Sequence, residues 1–172
     1  NYNEAYEPWM QVRANCPKLN VAIYSYGERI LKERIKNLSP QEAEADKVDL
    51  MKLYDEWILN FPTKRNVSVV GDILSSKAQS MLDYNIANKE EIYKIFDEAY
   101  RRDATSFTNP KELYNYFKTY YELYKDGVDG VTMEKLFTKY EEVSEKFEVE
   151  STNLSKILDL ILKKQEAGSP LN

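Results

Sequence analysis

No histidine occurs anywhere in this chain, and that absence removes most of the side-chain chemistry available at neutral pH. Ser-His-Asp and Cys-His nucleophile systems and histidine metal sites are excluded. The one cysteine, Cys16, stands just before Pro17 with Lys18 nearby. A reactive thiol needs a cationic or helix N-terminal setting, so Cys16 reads as a small apolar filler. The segment "DGVDGVTME" invites a calcium loop, which needs oxygen ligands at alternate positions and an acidic residue at the twelfth. Counted from Asp126, the third position is Val128 and the twelfth is Phe137, so the pattern fails and a Gly-rich turn is expected. Neither phosphate-cradling glycine motif is present. The paired carboxylates Glu90-Glu91, Glu141-Glu142 and Glu148 with Glu150 lie in polar stretches, whereas general acid catalysis wants a carboxylate in an apolar pocket. No catalytic residue, cofactor or metal is expected.

The richest aromatic segment is "LYNYFKTYYELY". Leu113, Tyr116, Phe117, Tyr120, Leu123 and Tyr124 form one wide stripe at helical spacing, and Tyr114 and Tyr121 fall on a neighbouring face. A helix apolar on more than one face is sandwiched between others. Base stacking is the functional alternative, but it requires a basic groove. Lys111, Lys118 and Lys125 are offset by Glu112, Glu122 and Asp126, and the net charge is −5, so no nucleic-acid partner is expected.

The elements that must position these residues read as helices. The chain has 172 residues, enough for one domain with a sizeable core, and only 5 glycines, too few for an all-β fold. No apolar run approaches the ~20 residues of a membrane-spanning helix. A first helix runs from about Asn3 to Ala14 and ends before Pro17. A second runs from about Val21 to Lys36. Ser39-Pro40-Gln41-Glu42 is a capping box with Pro at the first helical position, opening a helix to about Asn60. "NVSVV" has strand character, but Ile73, Leu74, Ala78, Met81 and Leu82 are helically spaced, so a helix is expected from Val67 to about Asn85. Asn88 caps the next. Asn109-Pro110-Lys111-Glu112 repeats the cap, Pro and Glu pattern for a helix ending at Asp126-Gly127. Thr132 caps a last region, with a break expected near Glu150 to Asn153. The chain is read as one all-helical domain over 1–168, with 169–172 as a tail. It opens on Asn1 without Met, so it is expected to be a segment of a longer chain.

Ala5, Trp9 and Pro17 stand four and eight residues apart, and Tyr26-Gly27 follows. Leu50, Tyr54 and Pro62 repeat that spacing before Gly71; Ile92, Phe96 and Ala104 continue it, with steps of 45 and 42 residues from Ala5 to Leu50 to Ile92. A small residue after the large one lets two helices approach closely; Tyr114 breaks the pattern in the third unit. This grammar resembles a divergent tetratricopeptide-repeat array, although the step exceeds the usual ~34 residues. The wording around "AYEPWMQVRANCPKLNVAIYSYGERILK" and "DATSFTNPKELYNYF" is similar to exported Bacteroidota proteins of that description.

The resemblance implies antiparallel helical hairpins stacked in a right-handed array, with an irregular helical bundle as the alternative. It implies a location in the periplasm or cell envelope, with the cytoplasm as the alternative. It also implies a groove lined by the first helix of each hairpin: Tyr24, Glu28 and Lys32, then Ser68, Asp72, Ser75 and Ser76, then Lys111, Asn115 and Lys118. The implied function is a non-enzymatic scaffold that binds a protein or peptide segment. Two other functions stay open: a ligand-binding or enzymatic helical domain using a buried carboxylate or Tyr, and a structural segment of a longer array. In the last case Leu154, Ile157, Leu158, Ile161 and Leu162 would dock on further repeats of the same chain. The register finally predicts Trp9 packed inward against the Tyr26-Gly27 helix, on a first helix whose other side is apolar and exposed.

Overall fold

The structure, a computed structural model, describes residues 2–166. The described residues form an all-α fold of seven helices and one tiny β-hairpin: α1 (Tyr2–Asn15), α2 (Ala22–Asn37), α3 (Pro40–Asn60), β1 (Thr63–Lys64), β2 (Val67–Ser68), α4 (Val70–Asp83), α5 (Lys89–Asp103), α6 (Pro110–Lys125) and α7 (Met133–Glu166). None of these helices is long and apolar enough to cross a membrane.

Helix starts follow the local capping chemistry. Ser39 and Glu42 close a full capping box at α3, and Asn88 and Glu91 do the same at α5. Each box satisfies two of the backbone N–H groups that a helix start leaves free. Asn109 accepts from the amides of Lys111 and Glu112 at α6.

Two expected elements are corrected. The helix expected from Val67 begins at Val70, because Val67-Ser68 pairs with Thr63-Lys64 across a turn at Arg65-Asn66. Both turn residues have positive φ, 51° and 64°, the backbone of a two-residue hairpin turn whose twist matches that of its strands. The break expected near Glu150 to Asn153 is absent, and α7 runs continuously through it. Residues 167–172, including the expected tail, lie outside the described residues.

Side-chain partners fix the helix directions. Tyr24 meets Asn60, Glu28 meets Tyr54 and Arg34 meets Asp46, so numbers fall on α3 as they rise on α2 and the pair is antiparallel. The same reversal relates α5 to α6 (Tyr93 with Tyr120, Asp97 with Tyr116), and the short connection over residues 126–132 between α6 and α7, which pack on each other, makes that pair antiparallel as well. By contrast, Ser75 meets Glu112 and Gln79 meets Asn115, so α4 and α6 run parallel. Helices α2/α3, α4/α5 and α6/α7 are therefore successive hairpins, with α1 leading. Two apolar clusters, one centred on α1–α3 and one on α4–α6, share Met51 and Ile58 at their border and make one continuous core.

Two glycines mark close approaches. A Cβ on Gly27 would lie 2.4 Å from the Trp9 ring, and one on Gly71 would lie 2.0 Å from the Asp103 carbonyl oxygen. Trp9 is buried inward, its indole N–H donating to the Ile23 carbonyl at 2.7 Å, as the register predicts. The opposite side of α1 exposes Ala5, Pro8 and Val12. Arg13 ties α1 to α3 through 2.8 Å bonds to both Asp49 and Glu56.

Candidate partner-binding face

The first helices of the three hairpins, α2, α4 and α6, build one polar face, and hydrogen bonds stitch it together. On α2, Glu28 accepts from Lys32 at 2.6 Å and from the buried Tyr54 hydroxyl of α3 at 2.7 Å. Tyr54 has one proton and spends it on Glu28, so the Ser80 hydroxyl of α4 donates to the Tyr54 oxygen at 2.9 Å. On α6, Glu112 accepts from Ser75 at 2.6 Å and Ser76 at 3.2 Å. Further along, Asn115 donates to Gln79 and Gln79 to Asp83, both at 2.8 Å.

Three carboxylates dominate the electrostatics. Burial pushes Glu112 up to about 6; the Ser75 bond opposes the rise, the Asp72 charge adds to it, and Ser76 and Lys32 oppose it. Desolvation of its carboxyl group, followed by the Glu28 charge, also raises Asp72 above its ordinary value, although the residue as a whole is exposed. Burial first, then the charge of Glu28, raises the Tyr54 phenol well above its usual value, so it stays a neutral donor. Among the described residues, neither Asp72 nor Glu112 takes part in an ion pair within 4.0 Å. The face thus holds negative charge that its own lysines leave incompletely neutralised.

Between α2 and α4 a cleft of about 360 Å³ opens beside Asp72. Val21, Trp57, Phe61, Val69 and Ile73 give it apolar walls, and Ser25, Thr63, Lys64 and Asp72 stand around it. An apolar recess with a few polar groups is the usual form of a ligand-binding pocket.

The residues expected to line a groove divide into two sets. Lys32, Asp72, Lys111 and Lys118 reach solvent, and Glu28 is half-buried. Ser75 and Asn115 are buried because α4 and α6 touch there, and they bond across that contact. Tyr24 is fully buried in the α1–α3 core. Its hydroxyl donates to the Pro17 carbonyl and accepts from Asn60, so it is a packing residue. Ser68 lies on β2, not on a first helix, and donates to Asp103 of α5 at 2.7 Å. Sequence reasoning missed Glu112, Tyr54, Ser80 and Gln79. Glu112 was masked by its place in the first turn of α6, where Glu ordinarily reaches back to the cap; here it reaches across to α4.

The other candidate sites are also resolved. Gly127 and Gly130 both take positive φ within the "DGVDGVTME" turn, and no cluster of carboxylates or cysteine with metal-binding geometry occurs among the described residues. Leu113, Tyr116, Tyr120 and Leu123 are buried, and α6 packs against α4, α5 and α7. Leu154, Ile157 and Leu158 are exposed; the side chains of Ile161 and Leu162 lie outside the described residues. No protein-family model, no curated protein and no solved structure matches this chain.

Proposed function

We propose that the protein is a non-enzymatic, tetratricopeptide-like scaffold whose α2–α4–α6 face binds an extended peptide or protein segment bearing a basic side chain next to a large apolar one. One observation carries this reading. Asp72 lines the apolar α2–α4 cleft and is the carboxylate that links Glu28 and Glu112 of the neighbouring hairpins, feeling the charge of the first and acting on the second. A bound lysine or arginine would favour the charged forms of Asp72 and Glu112, which burial first and a neighbouring carboxylate after it disfavour, and the neighbouring apolar side chain would enter the cleft. Complementary charge chiefly sets specificity and association rate. The right-handed stacking of the hairpins belongs to the same proposal. On the resemblance to exported Bacteroidota proteins we assign the protein to the periplasm or envelope, with the cytoplasm as the alternative.

The test is a randomised peptide library displayed against the full chain, with affinities then measured by fluorescence anisotropy. Basic-plus-aromatic or basic-plus-aliphatic peptides should emerge. Asp72→Lys should weaken them about ten-fold or more, and added salt should slow their association. Selection of acidic peptides, or basic peptides indifferent to Asp72→Lys, would overturn the reading.

A further inference from the structure

Helix α7 is about twice as long as the helix it packs on, 34 residues against 16 for α6. The short 126–132 connection makes the two antiparallel, and Tyr116 beside Lys139 and Phe117 beside Tyr140 set the level at which they meet. Extending that register sets Pro110, the first residue of α6, level with Phe147. Residues 148–166 therefore run on past the end of α6, roughly 28 Å of helix at 1.5 Å per residue.

The apolar face of α7 does not stop where α6 stops. Leu136, Tyr140, Val143 and Phe147 share one stripe with Leu154, Ile157 and Leu158 at helical spacing. Leu136 and Val143 are buried against the body, whereas Leu154, Ile157 and Leu158 expose 46%, 54% and 51% of their surface. An amphipathic helix owes most of its stability in water to the covering of its apolar face, and an exposed apolar patch of this kind marks an interaction surface. The same helix also carries a cleft. About 300 Å³ of space lies between α6 and α7, walled by Tyr114, Phe117, Tyr140, Val143 and Phe147, with Ser144 as the one polar wall.

We infer that the protein forms a two-fold symmetric dimer in which the α7 helices pack antiparallel, each seating Leu154 and Leu158 in the other copy's aromatic cleft. The ridge and the cleft lie on one side of one helix, about two to three turns apart. An axis passing between Glu150 and Ser151 brings each ridge onto the other cleft, Leu154 facing Phe147 and Leu158 facing Val143. Such a contact is self-complementary and closes at two copies. The charges permit it. Glu150 is already held by Lys146 at 3.2 Å, so the axis brings together neutralised pairs, and the flanking residues it opposes, Lys146 with Ser155 and Glu148 with Asn153, include no like charges.

The test is sedimentation equilibrium of the 172-residue chain at micromolar concentration. A mass near twice 20.2 kDa is expected. Leu158→Asp should raise the dissociation constant at least ten-fold without loss of helical circular dichroism, because the side chain is exposed in the single copy. In a Cys16→Ser background, Ser151→Cys should cross-link between copies under oxidation. Lys163→Cys should not, since an antiparallel pairing holds those positions roughly 37 Å apart along the axis. A monomeric wild type overturns the inference, as do a dimer unmoved by Leu158→Asp and a dimer that cross-links through position 163.

Discussion

Replacing Glu112 with Gln should stabilise the protein at neutral pH and do nothing in acid. Glu112 is only 6% exposed, and its carboxyl is pushed up to about 6 from an ordinary 4.5, chiefly by burial. The folded state holds the proton more tightly than the unfolded chain. Between pH 4.5 and about 6 the folded protein therefore binds more protons, and stability falls as pH rises through that window. The contribution is fully present below 4.5 and lost above about 6. At 1.36 kcal/mol per pH unit the difference is about 2 kcal/mol. Glutamine keeps the shape and an oxygen to accept from Ser75 but carries no charge. Glu112→Gln should therefore gain up to about 2 kcal/mol at pH 7, or about 4–8 °C in Tm for a chain of this size, and converge with the wild type near pH 4.5. Urea unfolding followed by circular dichroism across pH 4 to 7.5 measures both. The other carboxylates titrate in both proteins and largely cancel, so the difference curve reports Glu112 together with its coupling to Asp72. A variant less stable than wild type at pH 7, or a difference that does not change with pH, would refute the argument.

Three further predictions concern packing and buried charge. Gly71→Ala should cost about 1–3 kcal/mol or more, outweighing the ~1 kcal/mol that alanine gains in helix propensity, because the new Cβ meets the fixed Asp103 carbonyl at 2.0 Å. Gly27→Ala should displace the Trp9 ring and red-shift its fluorescence, since the added Cβ would lie 2.4 Å from the ring; unchanged emission would mean that the ring keeps its buried position. Asp97→Asn should destabilise by about 1–3 kcal/mol in chemical unfolding, because buried Lys139 loses its carboxylate neighbour at 3.3 Å and keeps only the more exposed Glu142 at 3.5 Å. Burial alone would raise the Asp97 pKa, but Tyr116, Arg101 and Lys139 override it and hold it below the ordinary value. Its contribution is therefore present above that value and lost as pH falls, so the deficit of Asp97→Asn should shrink in acid.

Helix boundaries were legible because the groups that set them are neighbours in sequence. Ser39 with Glu42 and the Asn88 and Asn109 caps act within a single turn, and no distant contact overrides them. Gly27 and Gly71 were legible for a related reason: a missing side chain at a helix crossing announces close approach, and both crossings exist. The β-hairpin was not legible. Its turn uses Arg65-Asn66 in place of an Asn-Gly or Asp-Gly pair, and helically spaced Ile73 and Leu74 drew the predicted helix three residues too far back. The expected break in α7 came from reading polarity as a break in the backbone. Residues 150–153 contain no Pro or Gly, and the Thr152 hydroxyl donates to the Glu148 carbonyl at 2.9 Å within the helix.

The candidate face shows why a polar position in a helical stack does not imply an exposed one. Register arguments treat each hairpin alone, and on an isolated α4 or α6 a serine or asparagine belongs in water. Once α4 and α6 lie parallel, their facing polar residues meet: Ser75 and Ser76 with Glu112, and Gln79 with Asn115. The trace in the sequence is the nearly constant offset of these pairs, 36 or 37 residues, which periodicity within one helix cannot reveal. A buried polar contact of this kind adds little net stability, yet it penalises any slip that leaves a partner unsatisfied. The division of labour follows from that asymmetry. The buried pairs fix how α4 sits on α6, and that fixed spacing sets where exposed Asp72 of α4 and Lys111 of α6 stand relative to each other. On the proposed function a partner would be read by the residues still in water, and a substitution among the buried pairs would alter recognition only by moving them.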